Sequence, residues 1–130
     1  MKRTERSRIL IVEDEALVSL FLEDALQEMG FVIAAVATGA DEAAAIIESS
    51  ELDAAILDVN LGGETSLNLA HMLRQRNVPF IFATGYGSAG VPKEFAAVPV
   101  LTKPFTEKDL KRVLGRVFEP LERDAGSDQA

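Results

Sequence analysis

The chain has 130 residues, 48% of them hydrophobic and 26% charged, and its formal net charge at pH 7 is −8. This length and composition predict one folded domain and exclude a disordered chain. The negative charge argues against a nucleic-acid partner, no apolar run is long enough to cross a membrane, and there is no cysteine for a disulfide or thiol site. The basic N-terminus also lacks the apolar stretch of a secretory signal. We therefore expect a cytoplasmic protein.

The hydrophobic pattern predicts strands that alternate with helices from residue 8 onward. Continuous apolar runs indicate buried parallel strands, and stripes at helical spacing indicate amphipathic helices. The predicted elements are a strand over 8–14, a helix over 15–29 that ends at Gly30, a strand over 31–37, a helix behind a capping pattern at Thr38–Asp41 that runs to about Ser49, a strand from 52 or 53 to 58, a helix over 67–76, strands over 80–84 and 98–102, and a last helix behind a capping pattern at Thr106–Asp109.

The segment over 85–99 breaks this alternation. It contains three glycines and two prolines and has no clean helical stripe. We expect a fourth helix there that is either short, around Lys93–Ala97, or mobile.

Alternating strands and helices predict an α/β fold, a doubly wound five-stranded parallel sheet with right-handed crossovers. We expect one domain over 8–118, a flexible arm over 1–7 and a loose tail over 119–130. Chemistry in such sheets lies beyond the carboxyl ends of the strands. The polar residues predicted at that edge are Glu13, Asp14, Asp58, Thr84 and Lys103.

Three carboxylates at neighbouring strand ends would repel one another, and a bound cation resolves that repulsion. Oxygen ligands without His or Cys favour Mg²⁺, and the backbone carbonyl of Asn60 offers a further oxygen. Lys103 would add a positive charge and Thr84 a hydroxyl. This set predicts a phosphoryl site in which Asp58 is the nucleophile and becomes an aspartyl phosphate.

The order Glu13–Asp14, Asp58, Thr84 and Lys103–Phe105 resembles the receiver domain of two-component response regulators, over about residues 8–118. The resemblance implies the flavodoxin-like receiver fold with strand order 2-1-3-4-5. It also implies that Asp58 accepts a phosphoryl group from a histidine kinase or a histidine phosphotransfer protein.

The same resemblance implies a ligand set for Mg²⁺. Asp14, Asp58 and the carbonyl of Asn60 would hold the ion directly, and Glu13 would act largely through water. The peptide bond between Lys103 and Pro104 is expected to be cis.

The stretch from Pro79 to Tyr86 resembles a narrower receiver subgroup named for its Phe-Ala-Thr-Gly motif, FATGUY. Members are often stand-alone, work with histidine kinases of the HWE and related types, and have a weak or mobile fourth helix. One position departs from typical receivers, which have Tyr or Phe three residues before the lysine, where this chain has Val100. We therefore expect Tyr86 and segment 85–99 to respond to phosphorylation, with Pro104 and Phe105 as further switch or partner contacts.

Two alternatives stay open at this point. A Mg²⁺-dependent phosphatase of the haloacid-dehalogenase type also forms an aspartyl phosphate, but it has its nucleophile on the first strand and usually a second Asp where this chain has Asn60. A scaffold of the same fold that is never phosphorylated would not need the complete site. The leading prediction is a single-domain signalling receiver, not an enzyme, that shuttles phosphate, drains it, or binds a downstream protein.

Overall fold

Seven strands and four helices follow one another in the computed structural model, which describes residues 7–118 except for the side chain of Glu64. In chain order they are β1 (Arg8–Val12), α1 (Ala16–Glu28), β2 (Val32–Ala37), α2 (Ala40–Ser49), β3 (Ala54–Asp58), β4 (Asn60–Leu61), β5 (Glu64–Thr65), α3 (Leu67–Gln75), β6 (Phe80–Thr84), β7 (Val100–Thr102) and α4 (Glu107–Leu114), with two 3₁₀ helices, Gly87–Gly90 and Lys93–Phe95, before β7.

Five of the strands form one parallel sheet in the order β2-β1-β3-β6-β7, and β4 and β5 form a separate antiparallel hairpin. Counted along the main sheet alone, this is the predicted order 2-1-3-4-5, so the doubly wound α/β fold is confirmed. The register pairs Val12 with Leu57 and Asp58 with Ala83. The carboxyl ends of these three strands therefore lie side by side.

The core consists of one apolar cluster on each face of the sheet. Ile9 and Ile11 of β1 pack toward α1 and α4, whereas Leu10 and Val12 pack toward α2 and α3. This alternation is expected because successive side chains of a strand point to opposite faces. Strands β3 and β6 are buried along their whole length, as parallel strands covered by helices should be.

One of the two predicted capping patterns is confirmed and the other is wrong. At the start of α4, the Thr106 hydroxyl accepts the Asp109 N–H at 3.1 Å, and the Asp109 carboxylate accepts the Thr106 N–H at 2.9 Å. At α2 the N-cap is Gly39, which offers no side chain. The longer side chain of Glu42 reaches back instead and accepts the Thr38 N–H at 3.0 Å.

Segment 85–99 contains two 3₁₀ helices and no α-helix. This confirms the prediction that a helix between the last two strands of the main sheet is short. Phe95 anchors the segment, because its fully buried ring packs on Phe80 and Phe82 with centroids 6.1 Å and 5.7 Å away. The guanidinium of Arg74 in α3 lies 4.3 Å from the same ring centroid. Mobility of the segment stays a prediction.

The N-terminal boundary of the domain differs slightly from the predicted boundary. Ser7, predicted as part of the arm, is buried, and its carbonyl accepts the Val32 N–H at 2.8 Å, so it belongs to the domain. Residues 1–6 of the predicted arm and the predicted tail 119–130 lie outside the described residues. Among the described residues, none of the helices has the length and apolar character needed to span a membrane.

Candidate functional site

Three carboxylates meet where β1 and β3 end, as the sequence predicted. Glu13, Asp14 and Asp58 each offer an oxygen within 4.8 Å of the other two. Glu13 and Asp58 are 1% and 5% exposed, whereas Asp14 is exposed. Like charges held this close, two of them deeply buried, need a positive partner.

Lys103, at the end of β7, supplies one such partner. Its Nζ atom lies 3.0 Å from Oε1 of Glu13, 3.2 Å from Oδ2 of Asp58 and 2.8 Å from Oε1 of Glu15. Burial acts to lower the pKa of Lys103, but the hydrogen bonds to Glu15 and Glu13 and the charge of Asp58 outweigh it and raise this pKa above its usual range. The Lys103 side chain therefore carries a positive charge. The peptide bond between Lys103 and Pro104 is cis, as expected.

Glu15 is a site residue that the sequence reasoning missed. It completes an unbroken acidic run with Glu13 and Asp14 directly after a buried strand, and that run was the available signal. An exposed acid at a helix start is common, so the run alone could not show that Glu15 would reach Lys103.

Burial makes the charged form of Glu13 unfavourable. Burial raises the pKa of Glu13 to about 7 and the charge of Asp58 adds to the rise, although the Glu15 N–H and Lys103 donate to its carboxylate. Its Oε1 atom is buried and accepts no hydrogen bond from the described residues, although Lys103 lies close enough for an ion pair. A carboxylate oxygen left in this state favours a further cation.

The residues present fit Mg²⁺. The donors are hard carboxylate oxygens with no His or Cys among them, which suits magnesium better than zinc or copper. Backbone N–H groups orient two of these acids, since Gly62 donates to Oδ2 of Asp14 at 2.8 Å and Asn60 donates to Oδ1 of Asp58 at 3.2 Å. The unbonded Oε1 of Glu13 offers the cation, or a water bound to it, a further oxygen.

The backbone of Asp58 is also fixed from behind. The buried hydroxyl of Ser66, at the N-cap of α3, donates to the carbonyl oxygens of Asp58 at 2.5 Å and Val59 at 3.1 Å. Ser66 was not predicted as a site residue, since nothing local in the sequence points to this contact. It holds the end of β3 while the Asp58 side chain faces the cleft.

Thr84 lies at the end of β6 and is only 3% exposed. Its Oγ1 atom accepts the Tyr86 N–H at 3.0 Å, so the hydroxyl hydrogen stays available for an oxygen in the cleft. A Cβ atom on Gly90 would lie 3.2 Å from Oγ1 of Thr84, so glycine here leaves room for the hydroxyl. The cleft that contains Asp58, Thr84 and Lys103 has a volume of about 770 Å³, and the 77% exposed Tyr86 lies at its edge.

Three other predicted contacts lie outside this cleft. Val100 is half-buried in β7, where it pairs with Phe82 and packs with the α2–α3 side of the core. Pro104 is exposed, and Phe105 packs on Phe21 of α1 with ring centroids 5.7 Å apart. Both line a neighbouring apolar groove of about 430 Å³ against α1.

Comparison with known proteins gives one family for this arrangement. The model of the response regulator receiver domain matches residues 9–115. The solution structure of SdrG from Sphingomonas melonis Fr1 has a TM-score of 0.78 and 41% identity, and the match covers 87% of this chain and 97% of SdrG.

A second solved structure bears on the metal. The receiver domain of the sensor histidine kinase PA1611 from Pseudomonas aeruginosa PAO1 was solved with a magnesium ion coordinated in the active site cleft. It is 25% identical with a TM-score of 0.72, and the match covers 85% of this chain and 96% of that one.

Curated relatives are longer proteins. The transcriptional regulatory protein TcrA of Mycobacterium tuberculosis is 35% identical over 115 residues, which are 83% of this chain and 44% of TcrA. The chain spans about half the length of the curated relatives it matches.

Proposed function

The chain belongs to the family of response regulator receiver domains, and we propose that Asp58 accepts a phosphoryl group from a histidine kinase or a histidine phosphotransfer protein in a Mg²⁺-dependent reaction. The phosphorylated domain then binds a downstream protein or passes the phosphate on. The protein acts in the cytoplasm, with protein partners rather than nucleic acid or membrane.

The observation that carries this proposal is the placement of Asp58. Asp58 lies close to two acids, Glu13 and Asp14, that suit a metal ion. The ammonium of Lys103 is 3.2 Å from the Asp58 carboxylate, and the Thr84 hydroxyl lies in the same cleft. Each group has a use in phosphoryl transfer and little use in a purely structural role.

The chemistry follows from these groups. A carboxylate oxygen of Asp58 attacks the phosphorus of a phosphohistidine, the new P–O bond forms as the P–N bond breaks, and the electron pair returns to the imidazole nitrogen. Lys103 and the Thr84 hydroxyl hold the phosphoryl oxygens. Asp14, Asp58 and the carbonyl of Asn60 would hold Mg²⁺ directly and Glu13 would act largely through water, and the ion would neutralise charge on the same oxygens.

A surface beside the site suits a protein partner. Leu17, Leu20 and Phe21 of α1 are 81%, 54% and 37% exposed, and the groove beside Phe105 adjoins Glu15 and Lys103. Exposed apolar side chains grouped in this way mark a contact surface, and a kinase docked here would hold its phosphohistidine near Asp58. We propose this surface as the kinase contact.

The response to phosphorylation passes through segment 85–99 in this proposal. Thr84 already accepts the Tyr86 N–H and lies against Gly90, so a phosphoryl group that draws the Thr84 hydroxyl changes both ends of the first 3₁₀ helix. Typical receivers have at the position of Val100 an aromatic ring that turns inward, and valine has no ring that could do so. Fast amide exchange over 86–97 that slows on phosphorylation is the expected result, and slow exchange without phosphate would refute it.

One experiment tests the assignment of Asp58. The protein is incubated with Mg²⁺ and acetyl phosphate, and its intact mass is compared with those of Asp58→Asn and of Asp24→Asn, a control at an exposed site on α1. We expect one phosphoryl group on the wild type and the control and none on Asp58→Asn. Labelling of Asp58→Asn would overturn the assignment, sustained hydrolysis of phosphate esters would favour a phosphatase, and no labelling by acetyl phosphate or any kinase would favour a scaffold.

A further inference from the structure

Lys103 donates three hydrogen bonds, each to a different acid. The acceptors are Oε2 of Glu13 at 3.2 Å, Oε1 of Glu15 at 2.8 Å and Oδ2 of Asp58 at 3.2 Å. A lysine ammonium has three N–H groups, so all of them are used in the unphosphorylated protein. A phosphoryl group on Asp58 brings new oxygens to the same ammonium, and these compete with the two glutamates for its donors and its charge.

The two glutamates differ in how easily they can release the lysine. The side chain of Glu13 is 1% exposed and that of Glu15 is 61% exposed. Water cannot reach the buried Glu13 to replace a lost ammonium contact, whereas water can hydrate a released Glu15. Glu15 is therefore the acceptor that gives way.

The Glu15 side chain has no competing structural task. Glu15 is the N-cap of α1, and its backbone carbonyl accepts the Ser19 N–H at 3.0 Å, but its side chain makes no capping hydrogen bond. Ser, Thr, Asp or Asn at this position would normally cap the helix through the side chain. A substitution at Glu15 thus removes a lysine contact without removing a cap.

We propose that Glu15 is a positioning residue that acts through Lys103. Its carboxylate holds one ammonium donor in the unphosphorylated domain and thereby opposes phosphorylation of Asp58. This inference rests on the proposed phosphorylation of Asp58 and adds a residue that sets how readily the site is occupied.

The test uses Glu15→Gln, which keeps the shape of the side chain and a weaker neutral acceptor. Binding of beryllofluoride, a non-covalent phosphoryl analogue, is followed in Mg²⁺ by the fluorescence of Tyr86, since the chain has one tyrosine and no tryptophan. We expect Glu15→Gln to bind beryllofluoride and to react with acetyl phosphate about two- to fivefold better than wild type, the range for one exposed ion pair. Glu28→Gln, the same charge change at an exposed site near the other end of α1, should behave as wild type.

Salt dependence separates this role from a purely structural one. The advantage of Glu15→Gln should shrink between about 0.1 M and about 1 M salt, where the Debye length falls from about 10 Å to about 3 Å. Weaker binding by Glu15→Gln, no difference from wild type, or an equal gain in Glu28→Gln would each overturn the inference while labelling of wild-type Asp58 keeps the proposed function. A wild type that neither binds beryllofluoride nor is labelled would overturn both.

Discussion

Replacement of Glu13 by Gln should stabilise the metal-free domain at alkaline pH while it weakens magnesium binding. Glu13 is 1% exposed, lies beside Asp58, and has a pKa raised to about 7. Because the folded state prefers the protonated acid, the stability that Glu13 contributes is fully present below its ordinary pKa near 4.5 and is lost as the pH rises through about 7. Glutamine mimics the protonated form at every pH.

The size of the effect follows from the raised pKa. A rise from 4.5 to about 7 corresponds to an upper limit of about 3 kcal/mol, since one pKa unit is about 1.4 kcal/mol. We therefore expect Glu13→Gln to increase the free energy of unfolding at pH 8 by about 1 to 3 kcal/mol and to leave it unchanged near pH 4.

Urea denaturation in EDTA across this pH range measures the difference directly. The matched control is Glu28→Gln, an exposed acid on α1 that should show no such trend. Added Mg²⁺ should stabilise the wild type by mass action and stabilise Glu13→Gln less. A Glu13→Gln domain that is less stable than wild type at pH 8 without metal would contradict this prediction, because it would mean that the charged form of Glu13 is held favourably.

Three further substitutions test other parts of the structure. Gly90→Ala should slow phosphorylation by acetyl phosphate about threefold or more, because its Cβ would lie 3.2 Å from the Thr84 hydroxyl oxygen and displace it. Thr106→Ala should lower the free energy of unfolding by about 1 kcal/mol in a urea titration, because it removes the capping box of α4. Leu17→Asp should reduce phosphotransfer from a cognate kinase about tenfold and leave labelling by acetyl phosphate unchanged, because an 81% exposed leucine is lost from the proposed docking surface.

Each of these has its own control. Gly85→Ala should be neutral, because among the described residues no atom beyond Gly85 and its chain neighbours Thr84 and Tyr86 lies within 4 Å of a Cβ there. An equal loss in both glycine variants would argue against a specific effect on Thr84. Thr106→Ser should retain most of the stability, and an unchanged Thr106→Ala would mean that the cap contributes nothing. If Leu17→Asp reduced phosphorylation equally with the kinase and with acetyl phosphate, its effect would lie in the phosphorylation site and not in kinase docking.

Much of this fold could be predicted from sequence because its signals are local. Uninterrupted apolar runs identify strands covered on both faces, and the acids that end them mark the edge where the site forms. This rule predicts that the polar residues at the strand ends lie close together, because parallel strands bring their carboxyl ends to one edge of the sheet. These residues are Glu13, Asp14, Asp58, Thr84 and Lys103. The glycines and prolines of segment 85–99 likewise predict, from local signals alone, that any helix in that segment is short.

Other features could be decided only by the tertiary structure, because they join side chains far apart in the chain. The contact between Glu15 and Lys103 spans 88 residues, and the Gly62 N–H reaches Asp14 across 48. The capping pattern predicted at Thr38 is absent, because the N-cap of α2 is Gly39 and the Thr38 N–H donates to the carboxylate of Glu42. The chain therefore encodes where its phosphoryl site forms, whereas the three-dimensional packing decides which carboxylates bond to Lys103, how deeply Glu13 is buried, and how closely Gly90 approaches Thr84.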